Sequence, residues 1–206
     1  MTEIDVSVTD FILSFECLIF AYFFFKLKGE IGKYCLIVFL SIGFSAFAGG
    51  VHHGFKNYIS SSANSFIWWL TLLLIGITAY GFALIGISLI SEKKVRLLSK
   101  LSFVFLLIYI VMTVFYQSFL TAIIFYFPSI LLASAGLYKT YQRQANNQIM
   151  VGIYGLGLSL MASVLQQLEV GIRPYLTYNA VYHLILMVAL FMFFIGLRAM
   201  ISIKKA

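Results

Sequence analysis

Charge is what this sequence has least of. Only 10% of its 206 residues are Asp, Glu, Lys or Arg, seven of them acidic, and there are two prolines and two cysteines. Soluble domains are about one quarter charged, so this chain lacks the polar surface that a water-exposed fold requires. Two cysteines exclude a disulfide scaffold, and the scarcity of charge excludes a disordered chain. What is present instead is apolar: 62% of the residues are hydrophobic and the mean hydropathy is +1.01. An excess of that size cannot be hidden in the core of so short a chain, which reads as an integral membrane protein. The net charge of +7 then records membrane orientation rather than a basic nucleic-acid patch, and no nucleic-acid partner is expected.

A helix needs about 20 apolar residues to cross the hydrocarbon. The chain divides into seven stretches of that size, at 10–27, 34–54, 65–91, 97–116, 119–138, 149–168 and 178–202. They are continuous runs without the alternation of a transmembrane barrel, so helices are predicted. Glu3, Asp5 and Asp10 precede the first run where a signal peptide would be basic, and that run is expected to remain in the mature protein. No linker is long enough to separate domains, so residues 1–206 are expected to form one all-α, seven-helix transmembrane bundle. Cys17 and Cys35 lie at different depths and read as packing residues. Gly152, Gly155, Gly157, Ser159 and Ser163 give the sixth span a small-residue surface for close helix approach, and Pro128 is expected to kink the fifth.

Basic residues fall on one side of these spans. Lys26, Lys28 and Lys33, then Lys93, Lys94, Arg96 and Lys100, then Lys139 and Arg143, and finally Arg198, Lys204 and Lys205 account for 12 of the 14. The opposite side has Lys56 and Arg173. With Glu30 and Glu92 counted, the basic side nets +10 and the remainder of the chain −3. The positive-inside rule puts the amino terminus outside and the carboxyl terminus in the cytoplasm, as an odd number of spans requires. The expected location is a bacterial plasma (inner) membrane, with membrane lipids as partners.

Ionisable groups inside a membrane are costly, so their positions carry functional information. All three histidines fall at the outer level: His52 and His53 at the end of the second span and His183 near the start of the seventh. If those two spans are neighbours, as in a closed seven-helix ring, the histidines meet. Asp10 opens the first span, in the favoured place for a helix amino-terminal carboxylate. Glu16 lies six residues deeper, Asn179 one turn before His183, and Ser45 seven residues before His52 on a shared face. Trp68, Trp69, Tyr58, Tyr116, Tyr175, Tyr178 and Tyr182 read as an outer aromatic belt. Any chemistry is predicted at the outer end. Bland readings stand beside each residue: interfacial wetting for His52 and His53, and helix-to-helix hydrogen bonds for His183 and Glu16. Asp10 reads blandly as a cap and Ser45 as a packing residue.

The segment FSAFAGGVHHGF (44–55), together with NAVYHLILMVAL (179–190), resembles the CREST superfamily, which contains alkaline ceramidases and progestin/adiponectin-receptor proteins. The resemblance implies a seven-helix fold with a zinc ion at the amino-terminal end. His53 or His52 would stand for the second-span ligand and His183 for the second histidine of the family's seventh-span pair. Asn179 occupies the place of that pair's first histidine. Ala48 and Gly49 stand where the family's serine is expected, and Asn64 and Ser65 where its aspartate would be. The implied activity is zinc-dependent hydrolysis of a lipid amide or ester. His52, His53 and His183 together, or two histidines with Glu16 as third ligand, would hold the zinc. A zinc-bound hydroxide would attack, Glu16 or Asp10 would act as general base, and Ser45 would donate to the oxyanion, with Asn179 and Tyr182 around the substrate. A non-catalytic lipid or small-molecule binder, or a receptor-like protein, is the alternative. A b-type cytochrome with histidine axial ligands, or an ion pathway, follows further behind.

Overall fold

Long apolar runs fold as helices here, and their polar flanks decide where each helix ends. The computed structural model describes residues 3–91, 95–172 and 174–203; Glu92, Lys93, Lys94, Arg173, Lys204 and Lys205, part of the charge bias above, lie outside the described residues. Seven helices follow in order: α1 (Ile4–Phe25), α2 (Glu30–Phe55), α3 (Ser61–Ile90), α4 (Val95–Phe115), α5 (Phe119–Gln144), α6 (Asn147–Gln167) and α7 (Tyr178–Ile203). Each is long and apolar enough to cross a membrane. Apart from one isolated bridge between Ile172 and Leu176, the described residues are all-helical.

The helices outrun their apolar stretches, α1 and α5 by the most. α1 begins at Ile4 rather than at residue 10, and α5 continues six residues past 138. Hydropathy marks the part of a helix that suits hydrocarbon, whereas helix ends are set by caps. Ser60 accepts the Ala63 amide (3.3 Å) to open α3, and Ser118 accepts that of Leu120 (3.2 Å) to open α5. α5 stops where Ala145 turns left-handed at φ 49°. Asn146 then accepts the Gln148 amide (2.9 Å) and starts α6.

Six of the helices close a ring in the order α1, α2, α3, α5, α6, α7, with α7 returning to α1. α4 lies outside it, packed on α3 and scarcely touching α5. This corrects the expected seven-helix ring. α2 and α7 are not adjacent in the ring, because α1 stands between them, and they meet through the rings of Phe39, Phe193 and Phe194 in the core. The small-residue face of α6 meets α7, where a Cβ on Gly152 would lie 2.9 Å from the Gly196 Cα. Only paired glycines allow the two backbones that close. Gly157, by contrast, faces open space.

One half of the ring is dry. Phe24 stacks on Phe39 (centroids 5.5 Å apart, interplanar angle 4°) and Phe20 on Phe194 (4.4 Å, 13°), with Phe193 and Phe82 adjoining. Cys17 and Cys35 are buried free thiols within this core. The other half, toward the amino terminus, encloses a chamber.

Candidate functional site at the amino-terminal end

The chamber has a volume of about 270 Å³ and is lined by all six ring helices and by none of α4. On α2 its lining runs from His53 to Ile42, eleven residues and so about 16 Å at 1.5 Å per residue. Asp10, His53, His183, Gln166, Asn179 and Tyr182 surround its end nearest the amino terminus. Ser45, Thr71 and Ser159 ring the middle together with Leu13, and Ile42, Phe82, Ile130 and Leu190 form the floor beside Thr78, whose hydroxyl donates to the Leu74 carbonyl of its own helix. Polarity therefore declines along one axis.

α1 supplies the acidic partner. Asp10 is 4% exposed, and its Oδ1 lies 3.3 Å from Nε2 of His183, itself 8% exposed. Room for the carboxylate comes from α2, since a Cβ on Gly49 would stand 3.0 Å from Asp10 Oδ2. The other imidazole nitrogen, Nδ1, lies 3.1 Å from Thr9 Oγ1. That hydroxyl also lies 2.9 Å from the carbonyls of Asp5 and Val6. With its proton directed at these carbonyls, the Thr9 oxygen accepts from Nδ1–H, and we assign the His183 tautomer accordingly. Nε2 then faces Asp10 across one shared proton. Whichever atom holds that proton, the pair is electrically neutral, which suits a site in hydrocarbon.

Around this pair lies a brace that composition did not reveal. The Thr177 amide donates to Asp5 Oδ2 (2.7 Å), and Thr177 Oγ1 accepts the Ala180 amide (3.3 Å). Together they tie the first turn of α1 to the start of α7. Ser7 donates to the Gly50 carbonyl (2.8 Å), and the Glu3 amide to that of His53 (3.3 Å), tying α1 to the end of α2. The Glu3 carboxylate stands 2.7 Å from His53 Nδ1 and 3.8 Å from Lys56 Nζ. Thr9 was absent from the sequence reading, and Glu3, Asp5 and Gly49 entered it only as charges ahead of the first span and as a place in the family motif, not as parts of a site. The one signal was a run of hydroxyl and acidic residues at the head of an apolar span.

The residues singled out from sequence separate into two groups. Asp10, Ser45, His53, Asn179, Tyr182 and His183 all line the chamber. Ser45 Oγ donates to the Thr71 carbonyl (3.0 Å), so its proton is already engaged. Asn179 Oδ1 accepts from Gln166 Nε2 (3.0 Å), and the Tyr182 ring packs edge-on against Phe119. His52 and Glu16 stand apart. The His52 ring lies against Trp68 (4.9 Å between centroids) and does not reach the chamber. The His52 and His53 rings stand edge to face with centroids 5.0 Å apart, and of the two only His53 lines the chamber. Glu16 also misses the lining, and its buried Oε2 has no hydrogen-bond partner. Of the aromatic belt, Trp68 and Tyr182 turn inward to the chamber, whereas Tyr58 and Tyr175 are exposed.

Among the described residues no three His, Cys, Asp or Glu side chains are grouped as a metal's ligands. His52 does not line the chamber and both His183 nitrogens have partners, so the residues as they stand do not fit a zinc ion. A family model described as "Family of unknown function (DUF6962)" matches residues 6–202. No curated protein and no solved structure matches the chain.

Proposed function

The chain thus belongs to DUF6962, a family of unknown function, and from its own geometry we propose that it binds a small amphiphile in the chamber. The ligand lies along the bundle axis, its tail among Ile42, Phe82, Ile130 and Leu190 and its head at Asp10, His183 and Asn179. The graded lining is the observation that carries this reading. Because the Asp10–His183 pair is neutral, the head is an uncharged group that donates and accepts hydrogen bonds, such as an alcohol or amide. About 270 Å³ lies just below the usual 300–1,000 Å³ of ligand pockets, so a single short chain fits and a two-chain lipid does not. The protein sits in a plasma membrane with the chamber on the outer side, as the charge bias suggests.

The test is a titration of the detergent-purified chain with decanol and with a ten-carbon monoacylglycerol, read by thermal unfolding. Stabilisation saturates in the wild type and disappears in Ala46→Phe, which fills the chamber from α2. Equal and non-saturating shifts in both proteins would refute the proposal.

A zinc-dependent, ceramidase-like hydrolase is the second reading. It draws support from the carboxylate of Glu3 behind His53, an arrangement usual for metal-bound histidines, and from Asp10 and His183 in the same chamber. It requires His183 to part from Asp10. Stoichiometric zinc in the purified chain, lost in His183→Ala, would favour it over simple binding.

A further inference from the structure

α4 is held differently from the other helices. Of its residues only Tyr109 and Thr113 are buried. The Tyr109 ring packs onto Gly76 of α3, where any side chain would collide with it, and its hydroxyl donates to the Leu72 carbonyl (2.7 Å). This pin sits near mid-span. Between it and the basic end of the bundle, α3, α4 and α5 enclose a second cavity of about 330 Å³. Its walls include Ala83 and Ile87 from α3, Leu98 and Leu101 from α4, and Leu132 from α5. From Tyr109 to Leu98 is eleven residues, about 16 Å of helix rise. That is close to half of a hydrocarbon layer roughly 30 Å thick, the depth of one leaflet.

The mouth of this wedge is basic. Its charge comes from α5, because Arg96 and Lys100 of α4, though exposed, lie on the opposite side of that helix from the wall residues Leu98 and Leu101. On α5, Lys139 and Arg143 lie two and three turns beyond Leu132 on the same face. Arg143 is exposed, and Lys139 Nζ donates to the Ile90 carbonyl at the end of α3 (2.5 Å). None of these three helices contains an Asp or Glu. We propose that the wedge holds one acyl chain of an anionic phospholipid whose phosphate rests on this basic mouth. Three features support that occupant. The walls are apolar, the depth matches one leaflet, and the charge at the mouth complements a phosphodiester. A volume of about 330 Å³ is on the order of ten water-sized units at ~30 Å³ each, room for most of one chain. A partner helix, about 10 Å across, is too wide.

The test uses the full chain in a neutral detergent, titrated with phosphatidylglycerol or with phosphatidylcholine of the same chains and observed by native mass spectrometry. One phosphatidylglycerol is retained, at least tenfold more tightly than phosphatidylcholine. Lys139→Gln combined with Arg143→Gln removes that preference, and Leu101→Trp, an exposed position that fills the wedge, lowers retention of both lipids. Decanol titration of each variant confirms that the ring is still folded. Equal retention of the two lipids by the wild type would overturn the proposal, as would phosphatidylglycerol retention unchanged in both variants. Displacement by inorganic phosphate alone would show a headgroup site with no chain in the wedge, and would also overturn it.

Discussion

The two halves of the ring use their residues in opposite ways. Toward the basic end, Phe20, Phe24, Phe39, Phe193 and Phe194 fill the space between α1, α2 and α7. Toward the amino terminus, the same helices part around a chamber. There, backbone amides and hydroxyl groups do the work of side-chain volume: Asp5 with Thr177, Ser7 with Gly50, and Thr9 with His183. In hydrocarbon an apolar contact is not driven by water, so packing density stabilises the first half and satisfied polar groups stabilise the second. Aromatic rings fill the packed half, and the other keeps its chamber.

Breaking the packed half has the largest expected effect. Phe39 is fully buried against Phe24, and Phe39→Ala is expected to cost about 3–5 kcal/mol. Unfolding in mixed micelles measures this, and the fraction still folded keeps its decanol response. Gly152→Leu comes next. It forces apart α6 and α7 where their backbones meet, at a cost of roughly 1–3 kcal/mol or more by the same assay. In the polar half, Thr9→Val removes the partner of His183 Nδ1. Interhelical hydrogen bonds in membranes average about 0.6 kcal/mol, with a maximum near 1.7, so stability falls by about that much. Ligand affinity falls more, because the imidazole loses its fixed tautomer. A stability loss as large as that of Phe39→Ala would erase the contrast between the halves. Glu16→Leu should change least. The carboxylate neither lines the chamber nor has a partner at Oε2, so stability is unchanged or slightly raised and ligand binding is retained.

That last case shows how far the sequence reaches. Hydropathy located all seven helices, because each must present some 20 apolar residues to lipid. It also put Asp10, His53 and His183 at one level. It did not reveal which helices are neighbours. Glu16 and His52 share that end of the bundle with the chamber residues, but rotation about their helix axes turns them away from it. Thr9 was invisible for the converse reason. A threonine in an apolar span is unremarkable until α1 is known to stand between α2 and α7 and to present it to His183. The exclusion of α4 from the ring was equally hidden, since its hydropathy matches that of its neighbours and only packing distinguishes it.

The account turns on whether an amphiphile occupies the chamber with its tail toward the floor. Trp68 lines the chamber and Trp69 does not, and these are the only two tryptophans in the chain. Brominated decanol added to Trp69→Phe should quench Trp68 fluorescence to saturation. The same addition to Trp68→Phe should leave Trp69 with only the weak, linear quenching of lipid partitioning, and Ala46→Phe should abolish the saturable phase. Identical linear quenching of Trp68 and Trp69 would contradict the account.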